Sequence, residues 1–175
     1  MIRNIDHANV IHYGSDSLII RSNDNGQKTC IKIINEEFPS PELITQLENE
    51  FEICSKTNSR SIRRALRKEK QDEHAALVLE YVAGKDLAQF LADENLGFEK
   101  QLRIAVSIAN ALYDLQKENI FHGQLYPSNI IIENNTNDAW LIDFGFASVG
   151  NTFRTAHQFM NDKQTDFLKY IAPEQ

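Results

Sequence analysis

Apolar and polar positions follow two rhythms along this chain, and each predicts a kind of element. Residues 10–20 and 29–34 are rich in β-branched and alternating apolar side chains, the pattern of short strands. Asn23-Asp24-Asn25-Gly26 lies between them and predicts a hairpin turn, because Asn and Gly accept positive φ. Ser40 can cap a helix and Pro41 suits its first position. Leu43, Leu47, Glu50 and Cys54 then recur at spacings of four, three and four, which places them on one helix face. Glu50 therefore lies on an apolar stripe, where a carboxylate is costly unless paired. Residues 75–82 read as another strand, with Gly84 breaking it. A short helix is predicted over 87–92 and a longer one over 98–117, with Leu102, Ala105, Ala109, Leu112 and Leu115 on its packed side. Residues 130–132 and 139–142 read as strands joined by the turn-rich Glu133-Asn134-Asn135-Thr136-Asn137-Asp138. Beyond Asp143 the periodicity fades, and so long an irregular stretch is uncommon in a domain unless it is functional.

Strands with one helix come first and mostly helices follow, an order that predicts an α+β protein of two lobes. Residues 1–82 form the β-rich lobe and 83–175 the helical one, joined at Ala83-Gly84-Lys85. A length of 175 residues suits about one domain, and 42% hydrophobic with 25% charged residues is ordinary for a globular chain. Cys30 and Cys54 are too few for a disulfide framework and lack metal-site spacing, so both read as reduced thiols. No apolar run is long enough to cross a membrane, and the first residues lack a signal-peptide core. The expectation is a cytoplasmic protein with no membrane partner. A net charge of -7 argues against nucleic acid as a partner. The local exception is the run Arg60, Arg63, Arg64, Arg67, Lys68 and Lys70, which Glu69, Asp72 and Glu73 dilute; it reads as a solvated strand or loop.

The chemistry lies in a set of short motifs. Thr29-Cys30-Ile31-Lys32 puts a lysine late on a strand, and Glu50 follows on its helix face. His122-Gly123-Gln124-Leu125-Tyr126-Pro127-Ser128-Asn129 precedes a strand, Asp143-Phe144-Gly145 follows the next strand, and Ala172-Pro173-Glu174 closes the segment after it. In order and spacing this set resembles the protein kinase family, over nearly the whole chain. Residues 31–58 and 170–175 are further similar to the serine/threonine kinase-like domain at the front of large bacterial signalling proteins that also carry an ATPase module and a sensor histidine kinase.

The resemblance implies a two-lobed kinase fold, with ATP and Mg²⁺ as ligands and a protein substrate or downstream signalling domains as partners. Lys32 would hold the α- and β-phosphates, with Glu50 orienting it. Asp143 would hold the phosphate-bridging Mg²⁺ and Asn129 a second one, both through hard oxygen ligands. Glu80, Tyr81 and Val82 would form the hinge that meets adenine, Leu79 would guard the pocket's rear, and Ile131 would pack under the base. Ser148, Thr152 and Thr155 become candidate phosphorylation sites. The chain stops at Gln175, soon after the APE-type motif, so the helical lobe is expected to be incomplete and to leave an apolar patch on the helix at 98–117.

Two loops depart from the family pattern. The nucleotide-covering loop, Tyr13-Gly14-Ser15-Asp16-Ser17, keeps one glycine, and only the Gly14 backbone is left to approach phosphate. Gln124 stands where kinases carry the catalytic Asp; its amide hydrogen-bonds but has no useful basicity. Tyr126 replaces the loop lysine and Gly123 the usual arginine. His122 is expected to pack rather than to act as a base. The reading is a degenerate kinase that binds ATP as a pseudokinase or regulatory module. An active Ser/Thr kinase is the first alternative. An aminoglycoside-phosphotransferase-like small-molecule kinase is another, since its loop H-G-D-x-x-P-x-N also fits residues 122–129, although the Ala172-Pro173-Glu174 ending belongs to protein kinases. A nucleotide-free interaction module is a third.

Overall fold

The computed structural model describes residues 9–14, 16–93 and 96–150. The β-branched stretches build a five-stranded antiparallel sheet from β1 (Val10–Tyr13), β2 (Ser17–Asp24), β3 (Gln27–Ile34), β4 (Ala65–Gln71) and β5 (His74–Glu80), in the order β1-β2-β3-β5-β4. The predicted strand over 10–20 is thus two strands. The break falls at Gly14, whose N–H donates to Ser17 O at 2.9 Å and closes a tight turn. The hairpin between β2 and β3 forms as expected: Asn25 and Gly26 have φ of 51° and 89°, the twist that suits a two-residue hairpin loop. The basic run supplies β4, which pairs with β5 from Ala65↔Leu79 to Gln71↔His74.

Period-two alternation sends Ile31 and Ile33 of β3 to one face, where they form a buried cluster with Ala76, Val78 and Ile20. Thr29 shares that alternation. It is buried, and its hydroxyl meets no hydrogen-bond partner among the described residues. An orphan hydroxyl carries a desolvation penalty that an isosteric methyl does not. Thr29→Val is therefore expected to raise stability by roughly 1 kcal/mol, read as a higher urea midpoint at constant slope. A lower midpoint would show that the hydroxyl is satisfied after all.

α1 (Pro41–Cys54) starts as its sequence dictates: Ser40 Oγ accepts from Leu43 N–H at 3.3 Å and Pro41 takes the first helical position. Its buried residues are Leu47, Glu50, Ile53 and Cys54, so the predicted stripe holds at Leu47, Glu50 and Cys54, gains Ile53 and leaves Leu43 half-buried.

The remaining elements are β6 (Gly84–Asp86), α2 (Leu87–Asp93), α3 (Phe98–Lys117), β7 (Ile120–Phe121), β8 (Ile130–Glu133), β9 (Ala139–Leu141) and β10 (Ser148–Val149). They make a three-stranded sheet, β6-β8-β9, and a β7-β10 pair. Gly84 does not end a strand; β5 stops at Glu80 and Gly84 opens β6. A Cβ on Gly84 would lie 2.1 Å from Ile132 O, so only glycine fits this close strand approach. The β8–β9 turn is organised by Glu133, whose carboxylate accepts from the N–H groups of Asn135 and Thr136 at 3.0 and 2.8 Å. The Thr136 N–H, first among these donors, holds the Glu133 carboxyl below its usual range.

α3 departs from expectation. Its buried residues are Ile104, Ala111 and Leu115, and Ala139 N–H donates to the Ser107 hydroxyl at 2.8 Å on the same side. Leu102 instead faces outward with Phe98, Val106 and Tyr113, as do Ala105 and Ala109. Apolar residues run along two faces of this helix, so spacing alone does not show which one packs.

The chain divides into two compact units. The first draws on residues up to Thr57 and on Arg63–Tyr81, the second on Asn58–Ile62 and on Val82 onward. Val82 therefore belongs with the helical part and not, as expected from sequence, with the β-rich one. Asn58–Ile62 joins the second unit because Leu141 N–H donates to Ser61 O at 2.7 Å and Ile62 bridges to Leu141.

Candidate functional site

In the first unit, β3 presents Lys32 and α1 presents Glu50. Lys32 Nζ donates to Glu50 Oε2 at 2.7 Å, and Glu50 is only 1% exposed. The apolar stripe of α1 singles out Glu50 over Glu48, and the structure agrees: Glu48 is exposed and lies 4.0 Å from Lys68. Arg63, just before β4, donates from its guanidinium to Glu50 Oε1 at 3.4 Å. It was expected in the solvated run, yet it is buried, while Arg60 and Arg64 are exposed.

Cys30, opposite Leu79 in the β3–β5 ladder, directs its Sγ to Glu80 O at 3.7 Å. Burial pushes the Cys30 thiol up, against the pull of Arg63. Glu80 N–H donates to Arg64 O at 2.9 Å. Tyr81 accepts from Arg21 at 3.1 Å, with the guanidinium 5.1 Å from its ring centre. At the other end of the sheet the β1–β2 turn is tied down: Asn35 N–H donates to Asp16 O at 3.0 Å, and the Asn35 amide donates to Tyr13 OH at 3.0 Å. The Gly14 N–H, the donor considered for phosphate, is spent on Ser17 O.

In the second unit, the loop after β7 is built around His122. Its Nε2–H donates to Ile142 O at 3.0 Å, its Nδ1 accepts from Gln124 N–H at 3.4 Å, and its ring packs at 4.5 Å on Phe144. These bonds fix the neutral Nε2–H tautomer, in keeping with a packing role. Gly123 has φ of +78°, and a Cβ there would meet Phe146 O at 2.4 Å. Gln124 is buried; its backbone O accepts from the Asn129 amide at 2.9 Å. Tyr126 is extended and begins the 3-10 turn Pro127–Asn129, with Asn129 N–H donating to Tyr126 O at 2.9 Å. Ile142 N–H donates to Asn129 O at 3.0 Å, which brings the residue before Asp143 to Asn129. Asp143 has φ of +66°, a conformation that costs a non-glycine residue roughly 1–2 kcal/mol. Such strain is kept where the surroundings over-determine it, commonly at functional sites. Phe144, fully buried, follows it. Ile131 is half-buried on β8, opposite Asp86 and Trp140. Ser148 lies on β10 opposite Phe121. Ser15, Thr152, Thr155 and Ala172-Pro173-Glu174 lie outside the described residues.

A lysine–glutamate pair on β3 and α1, followed by an asparagine and a strained Asp-Phe-Gly at the ends of short strands, has a counterpart among known families: the protein kinase domain, whose family model matches residues 5–175. The chain belongs to the protein kinase family. This kinase domain is 26% identical over 148 residues to a probable serine/threonine-protein kinase of Clostridium perfringens, a match covering 83% of this chain and 21% of that protein. It is 32% identical over 139 residues to the serine/threonine-protein kinase ATG1c of Arabidopsis thaliana, covering 77% of this chain and 19% of the relative. It is 31% identical over 156 residues to calcium-dependent protein kinase 5 of Plasmodium falciparum, covering 87% and 26% respectively. The chain thus spans about a fifth to a quarter of the length of these relatives. The matches favour a protein kinase domain over the small-molecule kinase alternative. No helix among the described residues is long and apolar enough to cross a membrane.

Proposed function

We propose that this kinase domain binds Mg-ATP and serves as a pseudokinase or regulatory module, with protein phosphotransfer near background. The observation that carries the reading is Gln124, an uncharged amide buried in an otherwise ordered catalytic loop. Lys32, oriented by Glu50, would hold the α- and β-phosphates. The Asn129 amide nitrogen is committed to Gln124 O, which turns its carbonyl oxygen away from that carbonyl. Asn129 and Asp143 would then offer two hard oxygens to Mg²⁺. Among the described residues no cluster of three or more His, Cys, Asp or Glu could hold a metal by itself. A cation that keeps phosphate and water ligands suits such a sparse set, as Mg²⁺ does. When bound with nucleotide, Mg²⁺ neutralises charge on the phosphate oxygens. Gln124 can orient a substrate hydroxyl by hydrogen bonding but cannot take its proton, and Tyr126 cannot offset phosphate charge. Glu80, Tyr81 and Val82 are assigned to the adenine edge, and Ile131 to its face. The partners of such a module are downstream signalling domains in the cytoplasm, with no role for nucleic acid.

Titration of the chain with Mg-ATP tests this. Binding is expected in the high-micromolar range, roughly 5 kcal/mol, since the Gly14 turn contributes little to phosphate. Asp143→Ala and Lys32→Ala are each expected to weaken it at least tenfold. No binding, or binding indifferent to both substitutions, would overturn the assignment.

A further inference from the structure

Glu50 faces two cations. Lys32 takes Oε2 at 2.7 Å and the Arg63 guanidinium approaches Oε1 at 3.4 Å. The cluster is shielded from water: the side chains of Glu50, Arg63 and Lys32 are 1%, 5% and 13% exposed. A buried carboxylate stripped of its partner is strongly destabilising. If Lys32 alone matched Glu50, turning its ammonium toward a phosphate would leave such an anion behind. Arg63 removes that difficulty, because it holds the other oxygen from a different part of the chain, 13 residues beyond Glu50 and at the entrance to β4. A guanidinium suits this position because it stays protonated, is less strongly hydrated than an ammonium and tolerates burial in an ion pair.

We propose that Arg63 is a positioning residue that anchors Glu50, and with it the C-terminal half of α1, independently of Lys32. Lys32 can then turn its ammonium toward an anion while Glu50 stays in place. The cluster's formal charge of one carboxylate against two cations also leaves a net positive charge facing any phosphate that Lys32 meets. The nucleotide part of this inference rests on the Mg-ATP reading above; the anchoring part does not.

The test is a double-mutant cycle on the full chain with Arg63→Met, Glu50→Gln and both together, plus Arg63→Lys, followed by thermal melting and Mg-ATP titration. Arg63→Met is expected to lower the melting temperature and to weaken Mg-ATP at least fivefold. In the Glu50→Gln background it should change affinity less than twofold, and Arg63→Lys should recover most of the loss. An equal effect in both backgrounds, or a lower melting temperature with affinity unchanged, would overturn the proposal, since Arg63 would then be only a structural residue. If the parent chain shows no Mg-ATP binding, the nucleotide reading fails by itself. Melting then decides the anchor: non-additivity between Arg63 and Glu50 supports it and additivity refutes it. If Arg63→Met does not fold, Arg63→Gln, which keeps a polar group but no charge, and its combination with Glu50→Gln carry the same comparison.

Discussion

Gly123→Ala is expected to cost the fold about 2–4 kcal/mol and lower its melting temperature by roughly 5–15 °C. Two effects add at this position. A side chain at φ +78° is strained, by roughly 1–2 kcal/mol. Its Cβ would also fall 2.4 Å from Phe146 O, an atom of the backbone that cannot swing aside as a side-chain tip would. Separating Gly123 from Phe146 would pull apart the loop that carries Gln124 and Asn129 and the segment that carries Asp143. Gly26 provides the control, because it has φ +89° but nothing within 4 Å of its would-be Cβ. Gly26→Ala should show the strain alone, about 1 kcal/mol. Equal losses in urea unfolding for the two substitutions would show that the close approach to Phe146 is unimportant.

Gln124→Asp combined with Tyr126→Lys is expected to raise autophosphorylation by roughly 10²–10⁴ over the parent chain, which should stay near background. The loop is built to survive the exchange. Gln124 holds Asn129 through its backbone carbonyl, and Tyr126 receives the Asn129 N–H through its own, so neither bond depends on the side chains replaced. The change would restore a proton acceptor and a cation beside the transferring phosphate. Incorporation of labelled phosphate measures it, with Lys32→Ala as the blank. Robust transfer by the unmodified chain, abolished by Lys32→Ala, would show that the pseudokinase reading is wrong. Background transfer by the double variant would show that more than these two side chains is missing.

Periodicity is informative where one face of an element is apolar and the other is not. α1 is such a case: its spacing predicts both the helix and the inward carboxylate, and Glu50 lies against Lys32. α3 is the opposite case. Leu102 and Leu115 are apolar alike, yet Leu102 is exposed and Leu115 buried, because the packed face is set by β9 and its bond to Ser107. The apolar pattern alone runs the split between β1 and β2 together, because apolar residues resume at Leu18, although the loop motif at Tyr13–Ser17 marks the break; β4 is obscured by its charges. Among the candidate site residues, Lys32, Asn129 and Asp143 are legible from motif order. Arg63 is not, since its burial comes from strand pairing and carries no local period. The strain at Asp143 and the close approach at Gly123 are equally hidden. Each depends on a neighbour distant in sequence, Asn129 by way of Ile142 in one case and Phe146 in the other.

The position of β4 at the margin of the five-stranded sheet gives the basic run a purpose that has nothing to do with phosphate. An open margin is a template on which a foreign strand can add, and lysines are a common deterrent. Here Arg67, Lys68 and Lys70 lie along that margin, all three exposed, and the pairing with β5 shifts register between Ala65 and Arg67. The opposite margin, β1, is four residues long and shifts register between Val10 and His12. Among the described residues neither rim offers a long, flat, uncharged ladder, and the most basic stretch of an acidic chain is suited to act as a fence against aggregation.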